Sequence, residues 1–290
     1  MHQITQTRRR SSRKPAGTFE YWLHFSNPAT RTTRSEKFED TFGHHNCRFT
    51  FGYDASTRTY KVVAFRAEKN NGSSDVKVFN LGDNCWRNIQ NFPVAPNNSL
   101  DHYYTLDSLN NGVHFYGTIN WLALDKSITH IKKFVILSLD LSTETYKQFL
   151  LPLGFDEVPF SQLVLRVLMD CLCFSHDSNN TEFILWKMKE YGVQESWTRV
   201  FKISYQNLAM QLPIRLLVEP PMLNIRYGHR YQLMCLYINA DIVIFASIHC
   251  KKSFIYNLKD KTVVKIKSRY TIRWFHDSKD YVESLVSVHR

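Results

Sequence analysis

Leu137-Ser138-Leu139-Asp140-Leu141-Ser142-Thr143-Glu144-Thr145-Tyr146-Lys147-Gln148-Phe149 reads as an apolar strand, a polar turn, and a second strand opening on an aromatic residue followed by a cation. Asp starts such a turn by bonding backbone groups two residues on, and Thr closes it. The same unit stands at Phe51 to Val63, around Asp54, Thr57, Tyr60 and Lys61, and again at Val78 to Ile89, around Asn80, Asp83, Trp86 and Arg87. A looser copy runs from Phe254 to Ile266 around Asn257 and Asp260. A longer-turned relative spans Trp186 to Phe201 and ends in Trp197-Thr198-Arg199-Val200.

Outward from these hairpins the chain keeps the same character. Tyr60–Phe65, Val76–Phe79, Phe134–Leu139 and Asp241–Ala246 are short, β-branched or aromatic, and bounded by Asn, Asp, Gly, Ser or Thr. The best helical candidate, Asn207 to Leu217, is broken by Pro213. The class is all-β, and several hairpins of one kind need one another to cover their faces. From Asp54 to Asp140 is 86 residues, two units of 43, close to the roughly 40 to 50 residues of a four-stranded propeller blade. The spacing predicts a β-propeller-like array of undetermined blade count. The later steps, 46 residues from Asp140 to Trp186 and 71 on to Asn257, are uneven, and a pair of β-sandwiches stays open as the alternative.

A chain of 290 residues with 43% hydrophobic and 14% aromatic content, but only 10 Gly and 9 Pro, has the makings of a packed core and excludes collagen-like and low-complexity classes. No apolar run approaches the roughly 18 to 20 residues of a membrane-spanning helix. The net charge of +11 is unevenly placed. Residues 1–14 carry five cations (Arg8, Arg9, Arg10, Arg13, Lys14) and no acid, and residues 251–290 carry ten cations against four acids. Between them 22 basic and 22 acidic residues balance. Residues 1–18 are therefore expected as a basic, disordered tail, with one domain over 19–290. If a closed propeller brings its two ends together, both basic segments share one face. Six cysteines scattered through or beside apolar runs, with no apolar leader behind the basic start, predict reduced thiols in a cytoplasmic or nuclear protein.

The strings Phe51 to Val63, Gly117-Thr118-Ile119-Asn120-Trp121-Leu122-Ala123, Ile136 to Lys147 and Tyr191-Gly192-Val193-Gln194-Glu195-Ser196-Trp197-Thr198-Arg199-Val200-Phe201 resemble the F-box-associated domain of plant F-box proteins. Asn27-Pro28-Ala29-Thr30-Arg31 near the start and Tyr281 to Val286 at the end do so too, and the likeness runs in order from about residue 22 to 288. The resemblance implies a propeller-like domain that recognises a target protein within an SCF-type ubiquitin ligase, whose adaptor is bound by an N-terminal F-box. That helical, Leu-rich segment should precede Asn27, where 26 basic, polar and aromatic residues stand instead. The adaptor-binding module is expected to be missing, and an adaptor is expected as partner only if an F-box is supplied upstream.

Chemistry-bearing patterns are weak beside this. Asp54, Asp140 and Glu144 lie in repeating turns, where Asp is a turn former, so a propeller hydrolase is disfavoured. His44-His45-x-Cys47 and Cys171-x-Cys173 lack the paired spacings of a zinc site, and the latter pair should share one strand face as core filler. No Gly-x-Ser-x-Gly elbow or phosphate-cradling loop occurs. No catalytic residue, metal or cofactor is expected. Protein recognition by aromatic and cationic loops is, with Arg226, Tyr227, His229, Arg230 and Tyr231 as the first candidate patch and His102, Tyr103 and Tyr104 as the second. Trp121, Trp186 and Trp197 belong to strand-like strings and are expected in the core. The alternatives to a protein-binding module are a nucleic-acid binder using the terminal basic segments and a non-functional, truncated paralogue.

Overall fold

The computed structural model describes residues 3–10, 19–27, 29–39, 47–66, 75–94, 96, 112–125, 133–153, 155, 163–178, 181–211, 233–247 and 252–265. These form five antiparallel sheets, each an up-and-down meander. The first has three strands, β1 (Gln3–Arg10), β2 (Phe19–Asn27) and β3 (Thr32–Glu39). The second holds β4 (Cys47–Asp54), β5 (Thr59–Arg66), β6 (Val76–Asn80) and β7 (Cys85–Asn88), and the third β8 (Val113–Phe115), β9 (Thr118–Asp125), β10 (Lys133–Asp140) and β11 (Tyr146–Leu150). The fourth holds β12 (Val164–Leu168), β13 (Cys171–Ser178), β14 (Glu182–Met188) and β15 (Trp197–Ser204), and the fifth β16 (Leu233–Asn239), β17 (Ile242–Ser247), β18 (Lys252–Asn257) and β19 (Thr262–Lys265).

Strand alternation explains how five sheets share one core. Successive side chains point to opposite faces, and here both faces of the inner sheets are covered. On β5, Val62 and Ala64 pack with Leu23, Phe25 and Phe38 of the first sheet, while Val63 and Phe65 pack with Ile119, Trp121 and Ala123 of the third. On the third sheet, Leu122, Phe134 and Ile136 turn the other way to meet Leu165, Leu172 and Phe174 of the fourth. Phe183 and Leu185 of the fourth then meet Phe245, Phe254 and Tyr256 of the fifth. Four apolar interfaces thus link the sheets in chain order, and the first strands β4, β8, β12 and β16 run side by side. This is the propeller-like array, not a pair of sandwiches.

The 43-residue unit is corrected. The first strands of the four-stranded sheets begin at residues 47, 113, 164 and 233, so the repeat is longer and irregular. Asp54 closes the first hairpin of its sheet and Asp140 the last hairpin of the next, so the 86 residues between them are not a whole number of blades. The basic start also differs from the tail expected over 1–18. Residues 3–10 pair along their whole length with β2, from Gln3 opposite Ser26 to Arg10 opposite Phe19, since a strand with Ile4, Thr5 and Thr7 suits an extended ladder. Among the described residues helix is confined to α1 (Tyr205–Ala209), capped by Ser204 Oγ accepting from Gln206 N–H at 3.2 Å, and to a 3₁₀ turn over Gln194–Ser196.

Among the described residues one six-residue turn recurs five times: at Asn27–Thr32, Asp54–Thr59, Asn80–Cys85, Asp140–Thr145 and Asn257–Thr262. Its first residue accepts backbone N–H groups two or three residues on, as in Ser142 and Thr143 to Asp140 Oδ1 at 2.8 and 3.0 Å. Lys259 and Asp260 do the same to Asn257 Oδ1 at 2.9 and 3.1 Å. In three copies the fourth and sixth residues are threonines joined hydroxyl to hydroxyl at 2.8 Å. The fifth residue is left-handed every time: Arg31, Arg58, Asn84, Glu144 and Lys261 have φ between 54° and 57°.

Candidate interaction surface

The first candidate patch, Arg226, Tyr227, His229, Arg230 and Tyr231, and the second, His102, Tyr103 and Tyr104, both lie outside the described residues. By sequence they fall in the connections from the fourth to the fifth sheet and from the second to the third. Whether residues 1–14 and 251–290 share a face also lies outside what is described, since only 3–10 and 252–265 are placed. Trp121 and Trp197 are buried and Trp186 is half-buried, while Cys171 and Cys173 pack in the core between the fourth and fifth sheets. The structure adds two polar junctions between sheets that the sequence alone did not single out.

At the junction of the second and third sheets, Lys61 Nζ is 2.9 Å from Asp54 Oδ2 and donates to Glu144 Oε1 at 3.2 Å and to the Leu141 carbonyl. Arg87 closes the cluster by donating from Nε to Glu144 Oε2 at 3.2 Å and from a terminal nitrogen to Oε1. Lys61 and Asp54 are 2% and 1% exposed. Burial pushes the Asp54 carboxyl up, but hydrogen bonds from Ser56, Lys61 and Thr57 outweigh it and hold the group down at about 2. The hydrogen bond to Glu144 raises the Arg87 guanidinium. These charges satisfy one another across the interface, so the turn carboxylates act as structural ties.

At the junction of the third and fourth sheets, the Tyr191 hydroxyl donates to Asn120 Oδ1 at 2.7 Å and lies 2.8 and 2.7 Å from the Thr118 and Ser138 hydroxyls. Asn120 Nδ2 in turn donates to Thr118 Oγ1 at 3.0 Å and to the Val113 carbonyl at 3.3 Å. Burial raises the Tyr191 phenol, with these bonds partly offsetting it. Its ring centroid is 5.3 Å from Phe115 and 5.1 Å from Phe149. Gly192, at φ +85°, brings its backbone so close that a Cβ there would stand 3.0 Å from the Phe149 ring. Gln194 Nε2 donates to the Leu151 carbonyl at 2.8 Å and Trp197 Nε1 to the Leu150 carbonyl at 3.1 Å. Ser196 Oγ accepts from Glu190 N–H at 3.1 Å and so folds the turn on itself. The Tyr191–Trp197 string is thus a staple between sheets. Its polar socket of Thr118, Asn120 and Ser138 was signalled only by hydrophilic residues inside otherwise apolar strands.

Linked antiparallel meanders held together by apolar interfaces and polar junctions define a propeller-like domain. The chain belongs to the F-box associated beta propeller domain family, whose model matches residues 19–288. An F-box/kelch-repeat protein of Arabidopsis thaliana is 27% identical over 157 residues, covering 53% of this chain and 39% of its own. F-box protein CPR1 of the same plant is 30% identical over 167 residues, covering 53% and 40%. The chain therefore spans about two fifths of the length of these two relatives. Among solved structures, an α-L-arabinanase of Penicillium chrysogenum superposes with a TM-score of 0.47 at 11% identity, over 91% of this chain and 77% of that one. The family is an interaction module.

Proposed function

We propose that the chain is the substrate-recognition domain of an SCF-type ubiquitin ligase, binding a target protein in the cytoplasm or nucleus without catalysis of its own. The family match over residues 19–288, with relatives that are F-box proteins, carries this reading. The ionic cluster at Asp54, Lys61, Arg87 and Glu144, with Asp54 and Lys61 buried at its centre, supports it, because the turn carboxylates are engaged in holding two sheets together. The ligase adaptor is a partner only if an F-box is supplied upstream of this domain.

The test is co-precipitation of the tagged chain from proteasome-inhibited plant cells, followed by measurement of each captured protein's abundance when the gene is disrupted. A captured protein that accumulates on disruption, and whose ubiquitin conjugates fall, supports the reading. Captured proteins whose abundance and ubiquitination do not respond overturn the ligase role.

A further inference from the structure

The two faces of the fifth sheet are treated differently. Ile238, Val243, Phe245, Phe254 and Tyr256 pack in the cluster shared with the fourth sheet. On the opposite face the strand register sets Tyr237 beside Ile244, Ile244 beside Ile255, and Ile255 beside Val264, one rung through β16, β17, β18 and β19. Ile242 stands on the same face, two residues from Ile244. Tyr237, Ile242 and Val264 are 42%, 38% and 55% exposed, Ile244 and Ile255 are half-buried, and none of the five is part of the four apolar clusters that join the sheets. An apolar rung across a whole sheet is a face made to be covered.

In a ring closed on itself, the sheet to meet that face would be the first. Its own apolar face is already used, because Tyr21, Leu23, Phe25 and Phe38 pack against the second sheet. Its outward face carries His24, Ser26, Thr33, Ser35 and Lys37, with Trp22 as the one large apolar group on β2 and β3 there. Thr33, Ser35 and Lys37 are exposed, and His24 Nδ1 lies 2.8 Å from Ser35 Oγ. A polar face does not complement the rung, so the cover comes from elsewhere. The chain supplies a candidate. It leaves β19 at Lys265, next to Val264, so residues 266–290 start at the edge of the face. Tyr270, Ile272 and Trp274 alternate there with Thr271 and Arg273, the pattern of a strand with one apolar side. The family model runs on to residue 288, so this stretch belongs to the domain.

We propose that residues 266–290 dock on the open face of the fifth sheet, with Tyr270, Ile272 and Trp274 laid against the rung of Tyr237, Ile244, Ile255 and Val264. Thr271 and Arg273 then point away from it, toward the polar face of the first sheet. The segment acts as a wedge that closes the array, and target binding is left to the turns and connections of the other sheets.

Disulfide trapping in the whole chain tests this, in a Cys85→Ser, Cys250→Ser background. Tyr237→Cys and Val264→Cys are each combined in turn with cysteine replacing Tyr270, Thr271, Ile272, Arg273 or Trp274, and bonds formed on mild oxidation are mapped by mass spectrometry. A disulfide forms only between closely facing positions, so monomers bridged from Tyr270, Ile272 or Trp274, and not from Thr271 or Arg273, are expected. Bridges between two chains would assign the face to a second copy. That result overturns the proposal, as do bridges from both sets alike or from neither. Tyr237 and Val264 are exposed, so the reduced variants should unfold at the native temperature. Hydrogen exchange of Trp274→Asp gives a reading without cysteine. Protection should fall in β16 to β19 and hold in β4 to β11, and an even loss or none at all also overturns the proposal. The ligase reading is independent of both measurements, since it stands or falls on intact proteins captured from cells.

Discussion

Lys61, on the second strand of one sheet, donates to Glu144, in the last turn of the next sheet, across 83 residues of sequence and 3.2 Å of space. With Asp54 on its other side at 2.9 Å, the ammonium sits almost wholly out of water. Removing one member of such a buried group leaves the others charged and unpaired, which typically costs about 3–5 kcal/mol. Lys61→Met should therefore lower the urea midpoint substantially, and the double variant Asp54→Asn, Lys61→Met should lose less than the two single losses added. Additive losses in the unfolding curves would show that Asp54 and Lys61 do not act together.

The same cluster sets an acid dependence. Asp54 is held at about 2, below its ordinary value of 3.8, so its contribution is present above pH 4 and is lost as pH falls from about 4 to about 2. The shift corresponds to about 2 kcal/mol. Comparing native chain and Asp54→Asn by denaturant unfolding at a series of acid pH values isolates this group. The native chain should lose its advantage across that window, and a difference that is flat down to pH 2 would refute the depressed value.

The all-β class was legible because β-branched and aromatic runs alternate with Asx-Thr turns, and both signals are local. Blade spacing was not, because the same six-residue turn closes the inner hairpin at Asp54 and the outer hairpins at Asn80, Asp140 and Asn257. The turn marks a hairpin without saying which pair of strands it joins. The polar junctions were hidden for a different reason. Asn120 and Tyr191 are 71 residues apart, and only the stacking of sheets brings them together. The Tyr191–Phe201 string was recognisable as a family feature, while its role as a staple required the geometry of Phe149, Leu150 and Leu151.

The recurring turn offers a contrast within one backbone conformation. Arg58 and Glu144 are both left-handed, at φ 54° and 57°, a region that costs a residue with a side chain about 1–2 kcal/mol relative to glycine. Arg58 is exposed, so Arg58→Gly should relieve strain and stabilise by up to about 1 kcal/mol, less the entropy glycine adds to the unfolded chain. Glu144→Gly should destabilise instead, because it strips Lys61 and Arg87 of their shared carboxylate. Thermal unfolding of the two variants side by side checks the pair, and shifts of the same sign would remove the ion-pair account of Glu144.

Tyr191 and Gly192 make the staple testable atom by atom. Tyr191→Phe keeps the ring against Phe115 and Phe149 but removes the hydroxyl that Thr118, Ser138 and Asn120 share, and leaving buried polar groups unpaired costs about 1–3 kcal/mol. Ser138→Ala removes one partner and leaves the hydroxyl two others, so its loss should be smaller. Gly192→Ala combines an unfavourable φ with a methyl pressed 3.0 Å from the Phe149 ring, and should match or exceed the Tyr191→Phe loss. Because all three changes act at one junction, hydrogen exchange should rise most in β8 to β15 and least in β2 and β3. Protection lost evenly over all five sheets would mean that the staple holds the fold as a whole, not the third and fourth sheets in particular.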